Sequence, residues 1–263
     1  MSEPVQWQEI AYAQGQARIE YQWLGAKDAP GPLMIFLHEG LGSLAMWKEF
    51  PERLCQSLGC KGLVYSRPGY GQSQDMAVPH PWGIDFMHRQ ACAVLPALLK
   101  ALQVRKPPVL LGHSDGASIA LLYAAMHPEN CRAVIALAPH LLVEPKTLAS
   151  IAALQAPQVR KSMLAALGKY HRDAQAVLDR WMAAWLAPDF VAWSITDTIT
   201  TLHCPVLAVQ GMDDEYGTLV HIQTLARKHA ATEQLIFDAC GHAPHRDQAA
   251  RLNAAVANFL QHL

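Results

Sequence analysis

A serine between two glycines is the residue of this sequence best suited to chemistry. Gly112-His113-Ser114-Asp115-Gly116 follows the apolar run 108–111 and precedes the helical run 117–126. A Gly-x-Ser-x-Gly motif between a strand and a helix places its serine on a sharp turn, beside the positive end of the helix dipole. We therefore predict that Ser114 is a nucleophile.

A serine hydroxyl needs a neighbouring base to react at neutral pH. His242 comes shortly after the last predicted strand, and a histidine at the C-terminal end of a strand can reach a serine at the same sheet edge. His245 is the alternative. The glycine before His242 and its closeness to the strand end favour His242, which makes His245 a structural or pocket-lining histidine.

The base in turn needs a carboxylate that orients it. Three acids, Asp213, Asp214 and Glu215, follow the predicted strand 206–209. Like charges repel, so a cluster of acids at a strand end needs a reason. The preceding strand is followed by no acid before Glu144. We therefore expect one of the three acids to orient His242, which gives the chain order serine, acid, histidine.

A glycine-rich loop supplies the remaining chemical element. The apolar run 33–37 leads into His38-Glu-Gly-Leu-Gly-Ser43. Backbone N–H groups of this loop, together with the N–H of Asp115, are candidates to bind the negative oxygen that develops when Ser114 attacks a carbonyl. We expect the Asp115 side chain to point outward, so that only its N–H contributes.

Short apolar runs bounded by turn residues must position these groups. Such runs predict strands buried on both faces of a parallel sheet, at 33–37, 62–65, 109–111, 133–137, 206–209 and 234–237. Helical patterns alternate with them at 85–102, 115–127, 218–229 and 246–262. Segments 7–13 and 16–23 predict an antiparallel hairpin that turns at Gly15. The sequence therefore predicts an α/β fold with a mostly parallel, doubly wound sheet.

Residues 141–200 interrupt this alternation. They contain no strand-like run, and alanine-rich and leucine-rich segments predict helices near 146–154, 158–167 and 173–186. We predict a helical insertion at 141–200 in a core domain formed by 1–140 and 201–263, with a substrate pocket beneath the insertion. The candidate pocket residues are His38, Glu39, His113, His140, Trp181, Trp185 and His245, with His80, Trp82 and His88 as further candidates.

The composition of the whole chain argues against several classes of protein. A length of 263 residues with 51% hydrophobic residues fits one large folded domain. The formal net charge of −1 and the lack of a basic stripe argue against a nucleic-acid partner. The cysteines have no zinc-type spacing, and we see neither a secretory signal nor a membrane-spanning run. We expect a cytoplasmic protein that acts on a small molecule, with no membrane partner and no metal; the sequence is compatible with a homo-oligomer.

Taken together, the motifs resemble the α/β-hydrolase superfamily. The matching stretches follow the family order over nearly the whole chain, at 38–40, 66–73, 112–116, 211–214 and 241–242. The last residue of the family's Gly-x-x-Asp pattern is the triad acid, so the resemblance implies Asp214. It also implies that the oxyanion amide comes from Gly40, with Leu41 as its neighbour, and that residues 141–200 form the family's cap.

The resemblance further implies a serine hydrolase that needs no cofactor. Serine rather than aspartate at position 114 argues against the haloalkane dehalogenase and epoxide hydrolase branches. Our first hypothesis is cleavage of a small carboxylic ester through an acyl-enzyme intermediate, because apolar residues dominate the insertion. The alternatives are a C–C bond hydrolase of a ring-cleavage product, a thioesterase, and a receptor that binds a ligand without turning it over.

Overall fold

The computed structural model describes residues 3–13, 15–76 and 83–263, so the candidates His80 and Trp82 lie outside the described residues. The strands of these ranges form one nine-stranded sheet. Their bounds are Gln6–Tyr12 (β1), Gly15–Leu24 (β2), Leu33–Leu37 (β3), Lys61–Tyr65 (β4), Gln74–Asp75 (β5), Val109–His113 (β6), Ala133–Leu137 (β7), Val206–Gly211 (β8) and Thr232–Phe237 (β9).

The strand order is β1-β2-β4-β3-β6-β7-β8-β9, with β5 paired to β2. Strand β2 is antiparallel to its neighbours β1, β4 and β5, whereas all pairs from β4 to β9 are parallel. The predicted hairpin is confirmed, with Tyr12 opposite Gly15 at its turn. The mostly parallel sheet confirms the predicted α/β fold. It also brings the C-terminal ends of β3, β6, β7 and β8 to one edge.

Helices lie on both faces of the sheet. Their bounds are Phe50–Leu58 (α1), Phe86–Arg89 (α2), Leu95–Ala101 (α3), Asp115–Met126 (α4), Pro145–Ala153 (α5), Pro157–Leu167 (α6), Ala174–Trp185 (α7), Val220–Lys228 (α8), Pro244–Asp247 (α9) and Ala249–Gln261 (α10). A π-helical segment, Gln90–Val94, joins α2 to α3. Alternate residues of β3 belong to two separate hydrophobic clusters, as a strand buried on both faces requires.

Helix α1 has no counterpart among the helices predicted from the sequence. Its boundaries nevertheless have recognisable local signals, since Pro51 occupies the second helical position and Gly59 ends the helix with a φ of 59°. Leu54 and Cys55 are buried against the sheet. In the described ranges, no helix is long and apolar enough to cross a bilayer.

The chain between β7 and β8 is helical. It contains α5, α6 and α7 and two 3-10 turns, at Pro188–Ala192 and Thr198–Thr201. An isolated bridge joins Leu142 to Ser194, and the N–H of Ile195 donates to the carbonyl of Leu141 at 2.8 Å. Residues 141–142 and 194–195 of this segment, called the insertion below (residues 141–200), therefore lie side by side. The division into a core domain and a cap domain stays a prediction.

Candidate active site

Ser114 lies at the junction of β6 and α4, with φ of 54° and ψ of −121°. This conformation is strained for a residue with a Cβ, and such strain is common at functional sites. The glycines of the motif allow the turn. A Cβ on Gly112 would lie 2.2 Å from the carbonyl oxygen of Gly116, and a Cβ on Gly116 would lie 2.0 Å from that of Leu37. Strand β6, helix α4 and the end of β3 can therefore meet only because both positions lack a side chain.

Ser114, His242 and Asp214 form a continuous hydrogen-bonded chain. The Nε2 atom of His242 lies 2.8 Å from Ser114 Oγ, and Nδ1 lies 2.9 Å from each carboxylate oxygen of Asp214. When Nδ1–H donates to the carboxylate, Nε2 has a free lone pair and can accept the serine proton. The distances therefore suit a nucleophile, a base and an orienting acid.

The surroundings of Asp214 keep its carboxylate charged, although the side chain is fully buried. Burial raises the pKa of Asp214. The hydrogen bond from His242 and those from the N–H groups of Tyr216, at 2.8 Å, and Gly217, at 3.1 Å, lower the pKa further than burial raises it. The net pKa is below its ordinary value, so Asp214 is an anion at neutral pH.

The neighbouring acids and His245 are not bonded to the imidazole of His242 or to Ser114 Oγ in the described ranges, although Glu215 accepts the backbone N–H of His242 at 3.2 Å. Asp213 and Glu215 are exposed. His245 is buried against Trp47 and Phe50, with ring centroids 4.9 and 5.4 Å away. Burial holds the pKa of His245 well below its ordinary value. His245 therefore has a structural position, and His242 is the histidine bonded to Ser114.

His113 and Glu39 contact each other and hold the loop around His242 in place. The Nε2–H of His113 donates to the backbone carbonyl of His242 at 2.7 Å, which fixes the loop that carries His242. The Nδ1 atom of His113 lies 3.6 Å from a carboxylate oxygen of Glu39. Burial raises the pKa of Glu39, but the contact with His113 outweighs it, and the net pKa is below the ordinary value.

Arg67 holds the glycine-rich loop in place. Its backbone N–H donates to His38 Nε2 at 3.0 Å, and its Nη2 donates to the carbonyl of Glu39 at 2.8 Å. The Nδ1–H of His38 donates to that same carbonyl, also at 2.8 Å. Both ring nitrogens of the fully buried His38 are therefore engaged within the loop. This is a structural role rather than the pocket-lining role that the sequence suggested.

Two backbone N–H groups of the loop after β3 and one at the start of α4 have no acceptor among the described residues. Among the described residues, the amides of Gly40, Leu41 and Asp115 donate to no protein atom. A Cβ on Gly40 would lie 2.1 Å from Nε1 of Trp181, so the insertion packs directly on this loop. Free amides beside a nucleophile are suited to bind a developing oxyanion.

Asp115 differs from expectation. Its side chain is fully buried, and Oδ2 accepts a hydrogen bond from Trp181 Nε1 at 3.0 Å. The prediction that it points outward is wrong, because the first eleven residues of α4 are buried and its first turn lies beneath α7. Burial raises the pKa of Asp115, and the charge of Arg67 and the Trp181 hydrogen bond offset only part of that rise.

Trp185 and His140 belong to an aromatic cluster between the insertion and the site. Their ring centroids are 5.0 Å apart, and the ring of His140 lies 5.8 Å from that of His242. Trp185 also contacts Phe190 at 4.9 Å. The other histidine candidate, His88, is partly buried on α2.

Two residues around His242 were not predicted from the sequence. The ring centroid of Tyr216 lies 4.9 Å from that of His242. Gln210 donates from Nε2 to Asp214 Oδ2. Gln210 is polar in an otherwise apolar buried strand, and that contrast is a signal that could have identified it. Within the described ranges, no group of three His, Cys, Asp or Glu side chains is placed to hold a metal ion.

Comparison with known families identifies the class of the protein. Residues 32–179, more than half of the chain, match the family model described as alpha/beta hydrolase fold. The chain therefore belongs to the α/β-hydrolase family and is a hydrolase.

Three individual proteins that resemble this chain share less than a quarter of its residues. The pimeloyl-(acyl-carrier protein) methyl ester esterase of Aeromonas hydrophila is 24% identical over 239 residues, which cover 81% of this chain and 89% of that protein. An esterase from Thermogutta terrifontis has a TM-score of 0.74 at 19% identity, covering 97% of this chain and 98% of its own. The enol-lactonase of Burkholderia xenovorans has a TM-score of 0.71 at 17% identity, and the match covers 93% of this chain and 97% of the enol-lactonase. These two structural likenesses show the shared fold.

Proposed function

We propose that this hydrolase cleaves small carboxylic esters through an acyl-enzyme intermediate on Ser114. The hydrogen-bonded chain from Ser114 Oγ through His242 to Asp214, with distances of 2.8 and 2.9 Å, is the observation that supports this most directly. The names of the similar proteins, two esterases and an enol-lactonase, agree with an ester substrate.

In the proposed reaction, His242 Nε2 takes the hydroxyl proton while Ser114 Oγ attacks the ester carbonyl. The free amides of Asp115 and of Gly40 or Leu41 bind the oxyanion of the tetrahedral intermediate. His242 then returns the proton to the departing alcohol, which leaves Ser114 acylated. A water molecule, deprotonated by His242, attacks the acyl group in the second half and releases the acid and the free serine.

Hydrolysis of p-nitrophenyl esters of increasing acyl length tests the proposal. We expect the wild type to turn over at least one member, with the preferred length reporting the size of the acyl pocket. Ser114→Ala should lower kcat by about 10⁶-fold. Ser162→Ala is the matched control, because its hydroxyl bonds only to Gln158 within α6.

Two results would contradict the proposal. If Ser114→Ala keeps the wild-type rate, Ser114 is not the nucleophile. If the wild type cleaves no ester of the series, a small carboxylic ester is not the substrate. A second series, of methyl esters, tests whether the protein releases methanol, because the Aeromonas relative is named a methyl ester esterase.

A further inference from the structure

The loop that follows β8 is fastened to the first helix of the insertion. We call residues 214–218 the acid loop, since they begin with Asp214. Four side chains from 144–150 bond to this loop. Three of them donate to backbone carbonyls: Lys146 Nζ to that of Asp214, Thr147 Oγ1 to that of Tyr216, and Ser150 Oγ to that of Glu215 at 2.7 Å. The fourth, the Glu144 carboxylate, accepts the N–H of Thr218 at 2.8 Å and its hydroxyl at 2.7 Å.

These bonds act on the peptide groups that orient the carboxylate. The carbonyl of Tyr216, which accepts from Thr147, shares its peptide group with the N–H of Gly217, and this N–H donates to Asp214 Oδ1 at 3.1 Å. The N–H of Tyr216 itself donates to the same oxygen at 2.8 Å. Tyr216 is therefore held by α5 on one side and holds Asp214 on the other. Because a carboxylate is oriented by the N–H groups that bind it, a shift of α5 would displace the oxygens that face His242.

A buried histidine strengthens the same connection. His221, at the start of α8, is fully buried. Its Nδ1 accepts the N–H of Leu141 at 3.2 Å, and its Nε2 lies 2.8 Å from Glu144 Oε2. Glu144 is thus contacted by both α8 and the acid loop, which fixes the point where the insertion begins.

We propose that Thr147, supported by Lys146 and Ser150, is a positioning residue for the hydrolytic reaction. It acts through the acid loop on Asp214, and through Asp214 on the imidazole of His242. The insertion would then contribute to the rate of the chemical step as well as to the pocket. This inference rests on the proposed function, because it assumes that Asp214 orients the base.

Thr147 is the most informative position to change. Its residue is only 1% exposed, so water has little access to replace its hydroxyl at the Tyr216 carbonyl. Thr147→Val keeps the shape and removes only the donor, whereas Thr147→Ser keeps the donor. Thr200→Val is the matched control, since its hydroxyl bonds only to Asp197 within the same turn.

The experiment uses the full chain and two readouts. Steady-state kinetics with the preferred p-nitrophenyl ester give kcat and KM, and the rate of covalent labelling of Ser114 by a fluorophosphonate reports nucleophile activation without an ester. For Thr147→Val we expect kcat and the labelling rate to fall about 10- to 100-fold, with KM changed less than about twofold. Thr147→Ser and Thr200→Val should keep wild-type values.

A different pattern would overturn the inference. If Thr147→Val keeps its kcat and labelling rate but unfolds at a lower temperature, the contact is only structural. If Thr147→Val does not fold, Lys146→Met with Ser150→Ala makes the same test at the exposed side of α5. If the wild type is labelled at Ser114 but cleaves no ester, the proposed function fails, while the labelling rates of the variants still decide this inference.

Discussion

Two buried carboxylates, Asp115 and Asp214, lie beside the hydrogen-bonded pair Ser114 and His242, and their surroundings shift their pKa values in opposite directions. Asp214 accepts hydrogen bonds from His242 and from two backbone amides, so its pKa is lowered despite burial. Asp115 accepts one hydrogen bond, from Trp181, and burial raises its pKa. The negative charge that faces His242 is therefore maintained, whereas burial disfavours the negative charge of Asp115.

The raised pKa of Asp115 predicts a pH dependence of stability. Folding disfavours the charged form of this carboxyl, so the wild type loses unfolding free energy as the pH rises from about 4 through the raised pKa. The side chain of Asp115→Asn cannot ionise, so this variant does not lose that unfolding free energy as the pH rises. We expect the unfolding free energy of Asp115→Asn, relative to wild type, to increase between about pH 4 and pH 7 in urea denaturation.

Asp213→Asn is the control for this measurement, because Asp213 is exposed and directly precedes the buried Asp214. Its difference from wild type should vary little over the same pH range. A relative stability of Asp115→Asn that decreases as the pH rises would mean that the folded state favours the charged form of Asp115.

At the level of elements, the junction of three segments leaves no room for a side chain. A Cβ at Gly116 would meet the carbonyl oxygens of Leu37 and His38, at 2.0 and 2.6 Å. These carbonyls belong to the segment that leads to Gly40. Overpacking here would therefore strain both the turn that carries Ser114 and the loop that supplies the free amides.

Gly116→Ala should cost at least about 1–3 kcal/mol of unfolding free energy. We also expect it to abolish most of the ester hydrolysis, because relief of the clash moves either α4 or the loop. Gly168→Ala is the matched control: this glycine ends α6 with a φ of −59°, and its nearest contact would be 3.2 Å away. An active and stable Gly116→Ala would show that the junction can expand.

The hydrogen bond between Trp181 and Asp115 links the insertion to the helix behind Ser114. Trp181→Phe removes the donor and leaves a buried carboxylate without it, which should cost about 1.5–3 kcal/mol of unfolding free energy. In Asp115→Leu, the same tryptophan substitution should cost much less. Urea denaturation of the wild type, Trp181→Phe, Asp115→Leu and the double variant gives the coupling energy between the two side chains.

A matched aromatic control is available in the same cluster. The indole N–H of Trp193 is buried and has no acceptor among the described residues, so Trp193→Phe loses packing but no hydrogen bond. If Trp181→Phe costs no more than Trp193→Phe, or if the coupling energy is zero, the Trp181–Asp115 bond does not stabilise the fold.

Elements whose signal is local could be predicted from the sequence. The apolar runs of β3, β6, β7 and β8 fix buried strands, and the glycines around Ser114 fix its turn. The direction of the Asp115 side chain could not be predicted, because it depends on Trp181, 66 residues away in the chain. The contact of Thr147 could not be predicted for the same reason, since its partner Tyr216 lies 69 residues away.

Across the whole molecule, folding buries several histidines in their neutral form. Burial lowers the pKa of His38, His140 and His245 well below the ordinary value. The unfolded chain binds a proton at each of these positions below about pH 6.5, whereas the folded protein does not. Unfolding is then favoured by up to about 1.4 kcal/mol per pH unit for each such histidine.

We therefore expect the unfolding free energy to fall steeply as the pH is lowered from about 6.5 to 5. His245→Phe, which keeps an aromatic ring against Trp47 and Phe50, should reduce this slope by about 1.4 kcal/mol per pH unit. Urea denaturation at several pH values measures both slopes. His262→Gln, at an exposed position near the C-terminus, is the control and should keep the wild-type slope. Equal slopes for His245→Phe and wild type would show that His245 is protonated in the folded state.

The bridge between Leu142 and Ser194 has a consequence for how the length and sequence of the insertion can vary. Because Leu142 pairs with Ser194, residues 143–193 form a closed loop whose two ends meet at this bridge. Its length then has little effect on the rest of the fold, since doubling a closed loop costs only about 0.6 kcal/mol. We therefore expect the fold to tolerate replacement of residues 143–193 by a segment of another length. A replacement segment that restores partners for Tyr216 and Asp115 should change the surface over Ser114 and keep the hydrogen bonds around Asp214.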